Sequence, residues 1–114
     1  MGAAGHFGSK FDERWGGSGP DPVAAAIWCE ELARCGSGGV GADLGAHSEL
    51  ACVYVGRAGT DEQKDQWLVP SIAGELIGGL GITEPDAGSD VNGIRTRAVR
   101  DGDDWILNLS LIHI

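Results

Sequence analysis

Basic residues are scarce in this chain. Eight Lys and Arg stand against 17 Asp and Glu, for a formal net charge of −9. Neither half escapes the deficit: residues 1–57 carry four bases against seven acids, and residues 58–114 four against ten. A surface that tracks phosphates needs a basic stripe, so nucleic acid is disfavoured as a partner. Long apolar runs are also missing. The longest, from Val23 to Cys29, falls far short of the roughly 20 residues that a membrane-spanning helix needs. No stretch pairs Lys or Arg with an apolar face, which disfavours membrane-surface binding too. Met1-Gly2 begins like a myristoylation motif, but His6 stands where that motif wants Ser or Thr. No signal peptide is visible. Together these features predict a soluble, cytoplasmic protein. Cysteine is sparse as well: Cys29, Cys35 and Cys52 are an odd set without Cys-x-x-Cys or metal-ligand spacing. They predict buried, reduced thiols on helix faces and no metal site.

Glycine is abundant, at 20 of 114 residues, over twice the roughly 7% of average usage. It clusters where segments change type, with no repeat. With 42% hydrophobic and 22% charged residues, the chain is composed to fold, and its length suits one small domain rather than a two-domain enzyme.

Residues 1–19 read as a Gly-, Ser- and charge-rich lead-in. Asp21-Pro22 is a helix start, an acidic N-cap followed by Pro at the first helical position. The segment Val23 to Cys35 follows with Ala24, Trp28, Leu32 and Cys35 on one face, and Gly36 stops it. A second periodic segment runs from about Ala42 to Ala58, with Leu44, His47, Ala51, Tyr54 and Val55 at helical spacing. Thr60-Asp61-Glu62-Gln63 reads as a capping box for a third helix, which Pro70 ends or kinks. From Leu76 the pattern changes. Leu76 to Ile82 reads as a buried strand, a Pro/Gly/Asp loop follows from Glu84 to Gly93, and Ile94 to Arg100 turns at Asp101-Gly102 into Trp105-Ile106-Leu107. A helix-to-strand switch this late places a domain boundary near residue 76.

Three motifs invite chemistry. Gly36-Ser37-Gly38-Gly39-Val40-Gly41 matches the dinucleotide fingerprint G-x-G-x-x-G, but a helix precedes it where a strand is required. A helix-to-helix connection is the better reading. His47 lies on an apolar helix face with no nucleophile or metal partner in the pattern, so it reads as a core or interface histidine. His6 and His113 carry no argument. Thr83-Glu84-Pro85-Asp86-Ala87-Gly88-Ser89-Asp90 is a tight loop leaving the expected strand. Pro85 fixes one dihedral, Gly88 allows close approach or a positive φ, and Thr83 and Ser89 offer hydroxyls. Such a loop suits a planar polar ring or a phosphate, and equally an ordinary Asp/Gly turn.

The stretch Ile82-Thr83-Glu84-Pro85-Asp86-Ala87-Gly88-Ser89-Asp90 resembles the signature of the acyl-CoA dehydrogenases, flavoenzymes that desaturate acyl-CoA thioesters. Trp15-Gly16-Gly17-Ser18-Gly19, Glu30 to Arg34, Gly59 to Lys64, Ala73-Gly74-Glu75 and Asp101 to Asn108 resemble further family segments in the family's order. The resemblance extends over about residues 7–108. It implies an α+β fragment, mostly helical through residues 1–75 as the latter part of the family's N-terminal domain. Residues 76–108 would then open the family's middle β-domain.

The implied cofactor is FAD, with Leu80, Gly81, Ile82, Thr83, Gly88 and Ser89 as its contacts. The resemblance implies that Thr83 bonds the isoalloxazine and that Ser89 also meets the CoA portion of the substrate. Asp86 sits where some family members have Gly and others Asp. Arg95 and Arg97 read as a solvated strand face rather than a CoA site. The implied partners are acyl-CoA, an electron-transfer flavoprotein and further copies of the chain. The family's catalytic base is a Glu of its C-terminal bundle, so no catalytic residue is expected here and neither Glu75 nor Glu84 is cast as one. Two other readings remain, a non-catalytic helical interaction module and an acyl-CoA oxidase.

Residues 109–114, Leu-Ser-Leu-Ile-His-Ile, depart from the family pattern and resemble the translation of a transposon end used in sequencing libraries. They are expected to be a non-native tail, leaving a fragment inactive by itself. Long-read sequencing of the source DNA across the Asn108 codon is expected to run on into Gly-x-Lys and a helical C-terminal domain. A frame that ends at Ile114 would instead favour a helical binding module.

Overall fold

A computed structural model describes residues 1–111; residues 112–114 of the expected tail lie outside the described residues. The chain divides into two compact units, Met1–Leu80 and Gly81–Ile114. The expected division at 75/76 differs from this one by the stretch 76–80. That stretch is tied to the helical unit where the Gly78 N–H donates to His47 Nδ1 at 2.9 Å.

The helical unit opens with three short 3-10 turns, Gly2–Ala4, His6–Gly8 and Glu13–Trp15. The lead-in is more than a connection, because Phe7, Phe11 and Trp15 recur every fourth residue and all three are buried. Phe11 and Trp15 join Cys52, Leu68 and Ile72 in the core. Arg14 lies 4.4 Å from the centre of the Trp15 ring and also pairs with Asp61 at 2.8 Å, which ties the lead-in to the third helical run.

Helix α1 (Pro22–Arg34) starts where expected, with Asp21 accepting from the N–H groups of Val23 and Ala24 at 2.8 and 3.1 Å. Gly36, at φ 74°, stops the chain after it. Ser37 then caps α2 (Gly38–Gly45) by accepting from Val40 N–H. Thus the glycines of 36–41 serve a helix-to-helix connection, and α2 begins earlier than the expected Ala42 because Ser37 supplies its cap. A π-helical turn, Ala46–Ala51, carries the run into α3 (Cys52–Ala58).

The third run comprises α4 (Asp61–Gln63), a π-helical turn Lys64–Leu68 and α5 (Val69–Ala73). Both halves of the Thr60/Gln63 capping box form, at 3.3 and 2.9 Å. Pro70 does not end this run. It stands in the first turn of α5, with only Val69 between it and a π turn, where the i→i−4 ladder is already interrupted and a missing N–H costs least. Among the described residues no helix is long and apolar enough to cross a membrane.

Residues 76–82 do not form the expected buried strand. They run without regular secondary structure, and Ile77 is 92% exposed. With Gly78, Gly79 and Gly81 interrupting the apolar pattern and no strand paired alongside, nothing stabilises a ladder there. In the second unit, β1 (Arg97–Asp101) pairs antiparallel with β2 (Asp104–Asn108) in the register Arg97↔Asn108 to Asp101↔Asp104. The turn stands at Gly102 (φ 63°), as Asp101-Gly102 predicted. β1 begins at Arg97 rather than Ile94, because the residues before it are engaged by the loop described below.

The cysteine expectation needs correction. All three thiols are free, but only Cys52 is buried; Cys29 and Cys35 are exposed on or just beyond α1. Burial pushes the Cys52 thiol above its ordinary pKa, partly offset by a hydrogen bond from Ser71. Titration of the intact chain with a thiol-reactive disulfide is therefore expected to label Cys29 and Cys35 rapidly, with Cys52 reacting only on unfolding. Three equally fast thiols would contradict this packing.

Candidate functional site

The loop Gly81–Ile94 is organised by two tight turns and one carboxylate. Glu84 and Ala87 exchange main-chain hydrogen bonds, Glu84 N–H to Ala87 O at 3.0 Å and Ala87 N–H to Glu84 O at 3.1 Å, with Pro85 and Asp86 at the turn. Asp90 caps the 3-10 turn Val91–Gly93 by accepting from Asn92 N–H at 3.0 Å. The two turns come close at Gly93, where a Cβ would stand 2.9 Å from Asp86 O and 3.4 Å from the Ala87 side chain. Only glycine fits that approach.

The Glu84 side chain turns inward and is 6% exposed. Its Oε2 accepts from Arg95 N–H at 2.7 Å, and its Oε1 accepts from Thr96 N–H at 2.9 Å and from the Thr96 hydroxyl at 2.5 Å. The bond from the Thr96 hydroxyl, followed by those from the main chain, holds its pKa below the ordinary carboxylate value. A carboxylate that already accepts three hydrogen bonds is a poor proton acceptor.

Of the residues predicted as contacts, Gly81, Ile82, Thr83, Gly88 and Ser89 lie exposed on this loop and the chain leading into it, and Leu80 is the last residue of the helical unit. Within the described residues, neither the Thr83 and Ser89 hydroxyls nor the N–H groups from Gly79 to Thr83 find hydrogen-bond partners in the chain. Thus the loop presents donors and hydroxyls that its own fold does not consume. Gly88 behaves otherwise than expected: its φ is not positive, and a Cβ there would meet nothing within 4 Å. The close approach belongs to Gly93. Arg95 pairs with Asp86 at 3.4 Å on the surface.

In the helical unit, His47 is buried, as an apolar-face histidine should be, and both ring nitrogens are used. Gly78 N–H can only donate, so Nδ1 is the acceptor and Nε2 carries the hydrogen that goes to Ser71 O at 3.0 Å. Phe7 packs edge-on against the ring at 4.8 Å, and the Cys52 sulfur lies 3.9 Å from Nδ1. Beside this cluster is a mainly apolar groove of about 380 Å³, whose lining includes Tyr54, Trp67, Leu76 and Leu80. Among the described residues no group of three His, Cys, Asp or Glu side chains is placed to hold a metal ion.

Glu84 and Gly93 were not singled out as structural anchors by their sequence pattern. The signal available was a Glu between a hydroxyl residue and Pro at the mouth of a loop, followed by Thr96 two residues beyond the loop's end. Nothing in that spacing specifies that the carboxylate folds back on main-chain N–H groups.

The model of the acyl-CoA dehydrogenase N-terminal domain matches residues 1–75. The chain is 43% identical, over 100% of its length, to the short-chain specific acyl-CoA dehydrogenase of Clostridium acetobutylicum, and it spans 30% of that protein. It is 40% identical to a glutaryl-CoA dehydrogenase of Mycobacterium smegmatis solved in complex with FADH2, with a TM-score of 0.84 over 95% of this chain and 28% of that one. A structure described as the electron transferring flavoprotein of Acidaminococcus fermentans contains a chain that is 40% identical, with a TM-score of 0.83 over 95% of this chain and 28% of that one. The helical architecture followed by an antiparallel hairpin is thus the one the resemblance implied.

The Glu84 anchor has a definite pH window. A carboxylate whose pKa is lowered by folding contributes its full stability above the unfolded value of about 4.3 and loses it as pH falls through the lower folded value. The charged groups around it are Arg95, which supplies the main-chain N–H, and Asp86, which pairs with the Arg95 side chain. Amide hydrogen exchange at Arg95 and Thr96 is expected to stay slow from neutral pH down to about 4.3 and to accelerate below it, beyond the intrinsic pH trend of exchange. Protection that is flat through this range would show that the ionised carboxylate is not what holds them.

Proposed function

The chain belongs to the acyl-CoA dehydrogenase family, and on that premise we propose that it is the stretch of an FAD-dependent acyl-CoA dehydrogenase running from the helical domain into the flavin-contacting loop. On this reading the whole protein is an oxidoreductase that α,β-desaturates acyl-CoA thioesters. Its partners are acyl-CoA, an electron-transfer flavoprotein and further copies of itself, in the cytoplasm. The chain spans 30% of the length of the Clostridium acetobutylicum relative, and on this reading the catalytic base is not among these 114 residues.

The observation that carries the proposal is the set of unconsumed polar groups between Leu80 and Ser89. Thr83 offers a hydroxyl, and Gly81 and Ile82 offer main-chain N–H groups, as the polar edge of a planar heterocycle requires. Gly88 leaves open space in front of the loop, and the exposed Ile82 side chain (43%) provides an apolar surface against which a ring excludes water. Ser89 stands at the far end of the turn, suited to the CoA portion of the substrate. Flavin chemistry, once the cofactor is bound, supplies an acceptor for the hydrogen that leaves the β-carbon. Removal of the α-proton is not assigned to this chain: Glu84 already accepts three hydrogen bonds and Glu75 stands exposed to water.

The full-length protein carrying these residues is expected to purify with a visible flavin absorption that an acyl-CoA bleaches in the absence of oxygen. Thr83→Ala should weaken FAD binding about tenfold through the lost hydrogen bond. Reduced flavin that reacts with oxygen faster than with an electron-transfer flavoprotein would make the protein an oxidase. Full-length protein that takes up no flavin at all would leave a helical binding module as the reading.

A further inference from the structure

Glu84 is neither a cofactor contact nor a base in the reading above, yet among the described residues of its unit no side chain makes more hydrogen bonds. We infer that Glu84 is a positioning residue for the cofactor loop: its carboxylate staples the main chain at Thr83–Glu84 to Arg95–Thr96, so that the hydroxyls of Thr83 and Ser89 face a ligand in one fixed arrangement. This rests on the flavin reading and adds to it the residue that pre-organises the loop.

The connectivity is direct. Glu84 follows Thr83, so the peptide plane between them is set by the Glu84 N–H bond to Ala87 O at 3.0 Å. The same residue's side chain reaches across 11 and 12 positions to take the Arg95 and Thr96 N–H groups and the Thr96 hydroxyl. Thr83 is therefore attached to a residue held at both its main chain and its side chain. Ser89 is held less directly, through the buried Ala87 on one side and the Asp90-capped turn on the other. A loop that already stands in its bound arrangement loses less entropy on binding.

The chemistry is specific to a carboxylate. Both oxygens receive donors, and a glutamine must turn its NH2 either toward the Arg95 N–H or toward the Thr96 pair. Either way a donor faces a donor, and a main-chain N–H at Arg95 or Thr96 loses its carboxylate partner. An aspartate keeps the charge but is one methylene too short for the reach.

The test uses the full-length protein as wild type and as Glu84→Gln, Thr96→Val and Thr96→Ser. FAD affinity is measured by titrating the apoprotein, the flavin absorption spectrum is recorded in the loaded protein, and amide exchange at Arg95 and Thr96 is followed in the apoprotein. Glu84→Gln is expected to weaken FAD binding about tenfold or more and to shift the flavin band. Thr96→Val, which keeps the charge and both N–H bonds, should show a smaller change in the same direction, and Thr96→Ser should behave as wild type. If Glu84→Gln does not fold, the graded pair at Thr96 decides the matter. Faster exchange at Arg95 and Thr96 with FAD affinity and flavin spectrum unchanged would overturn the inference, since the staple would then be purely structural. Wild-type protein that binds no FAD would remove the flavin reading on its own. Exchange in the apoprotein would still judge the staple, and equal protection in wild type and Glu84→Gln would overturn it.

Discussion

A charge withdrawn from water must be met by donors, and the loop at residues 81–96 is built around that requirement. The Glu84 carboxylate collects two main-chain N–H groups and one hydroxyl from consecutive residues. Once they are engaged there, the chain from Ile94 to Thr96 is no longer free to pair as strand, which is why the hairpin starts at Arg97. The turn at Pro85-Asp86, the buried Ala87 and the close approach at Gly93 are consistent with the same anchor. What the loop leaves over, the Thr83 and Ser89 hydroxyls, is what it has available for a ligand.

The helical unit solves the same problem with a neutral group. His47 is buried and uses both nitrogens, one to accept from Gly78 and one to donate to Ser71. The π-helical turn Ala46–Ala51 carries His47, Ser48 and Ala51 to the inside while Leu50 stays exposed. A wider turn changes which residues share a face, and such turns recur where side chains are placed for a purpose. Here the purpose visible in the structure is to hold residues 76–80 against the helices that precede them. In both units, then, one buried polar side chain organises the irregular chain, while helix caps and apolar spacing organise the rest.

These anchors give the family assignment physical content. A dehydrogenating flavoenzyme needs a loop that is rigid before the cofactor arrives and polar only where the ring is polar. The loop has bonds of its own at Glu84, Ala87 and Asp90, and unspent ones at Thr83 and Ser89. It has no free carboxylate aimed outward at Glu84, and under the proposed function this segment would hold the cofactor while another residue moves the proton. The hairpin fits the same division. Val99, Trp105, Ile106 and Leu107 are all about half exposed or more, and a two-stranded ribbon is marginal by itself.

Much of this was readable from residue order. Asp21-Pro22, Gly36, the Thr60/Gln63 box and Asp101-Gly102 each act within a few residues, so their spacing alone specifies the bond or the dihedral. The apolar spacing around His47 marked it as a core or interface histidine, although its partners Ser71 and Gly78 lie 24 and 31 positions away. The loop signature named its residues, though not which of them is the anchor. Tertiary structure decided the rest. It kept Leu76–Ile82 out of a sheet, because a strand exists only beside another strand. It set Cys29 and Cys35 outside while burying Cys52, because only the packing of neighbouring elements determines which helix face is covered. It made Gly93 rather than Gly88 the close approach, and it turned Glu84 inward onto residues 11 and 12 positions away. Local signals survive in sequence because their partners are near in the chain. Whether a side chain is buried, and what it meets there, depends on residues that only folding brings close.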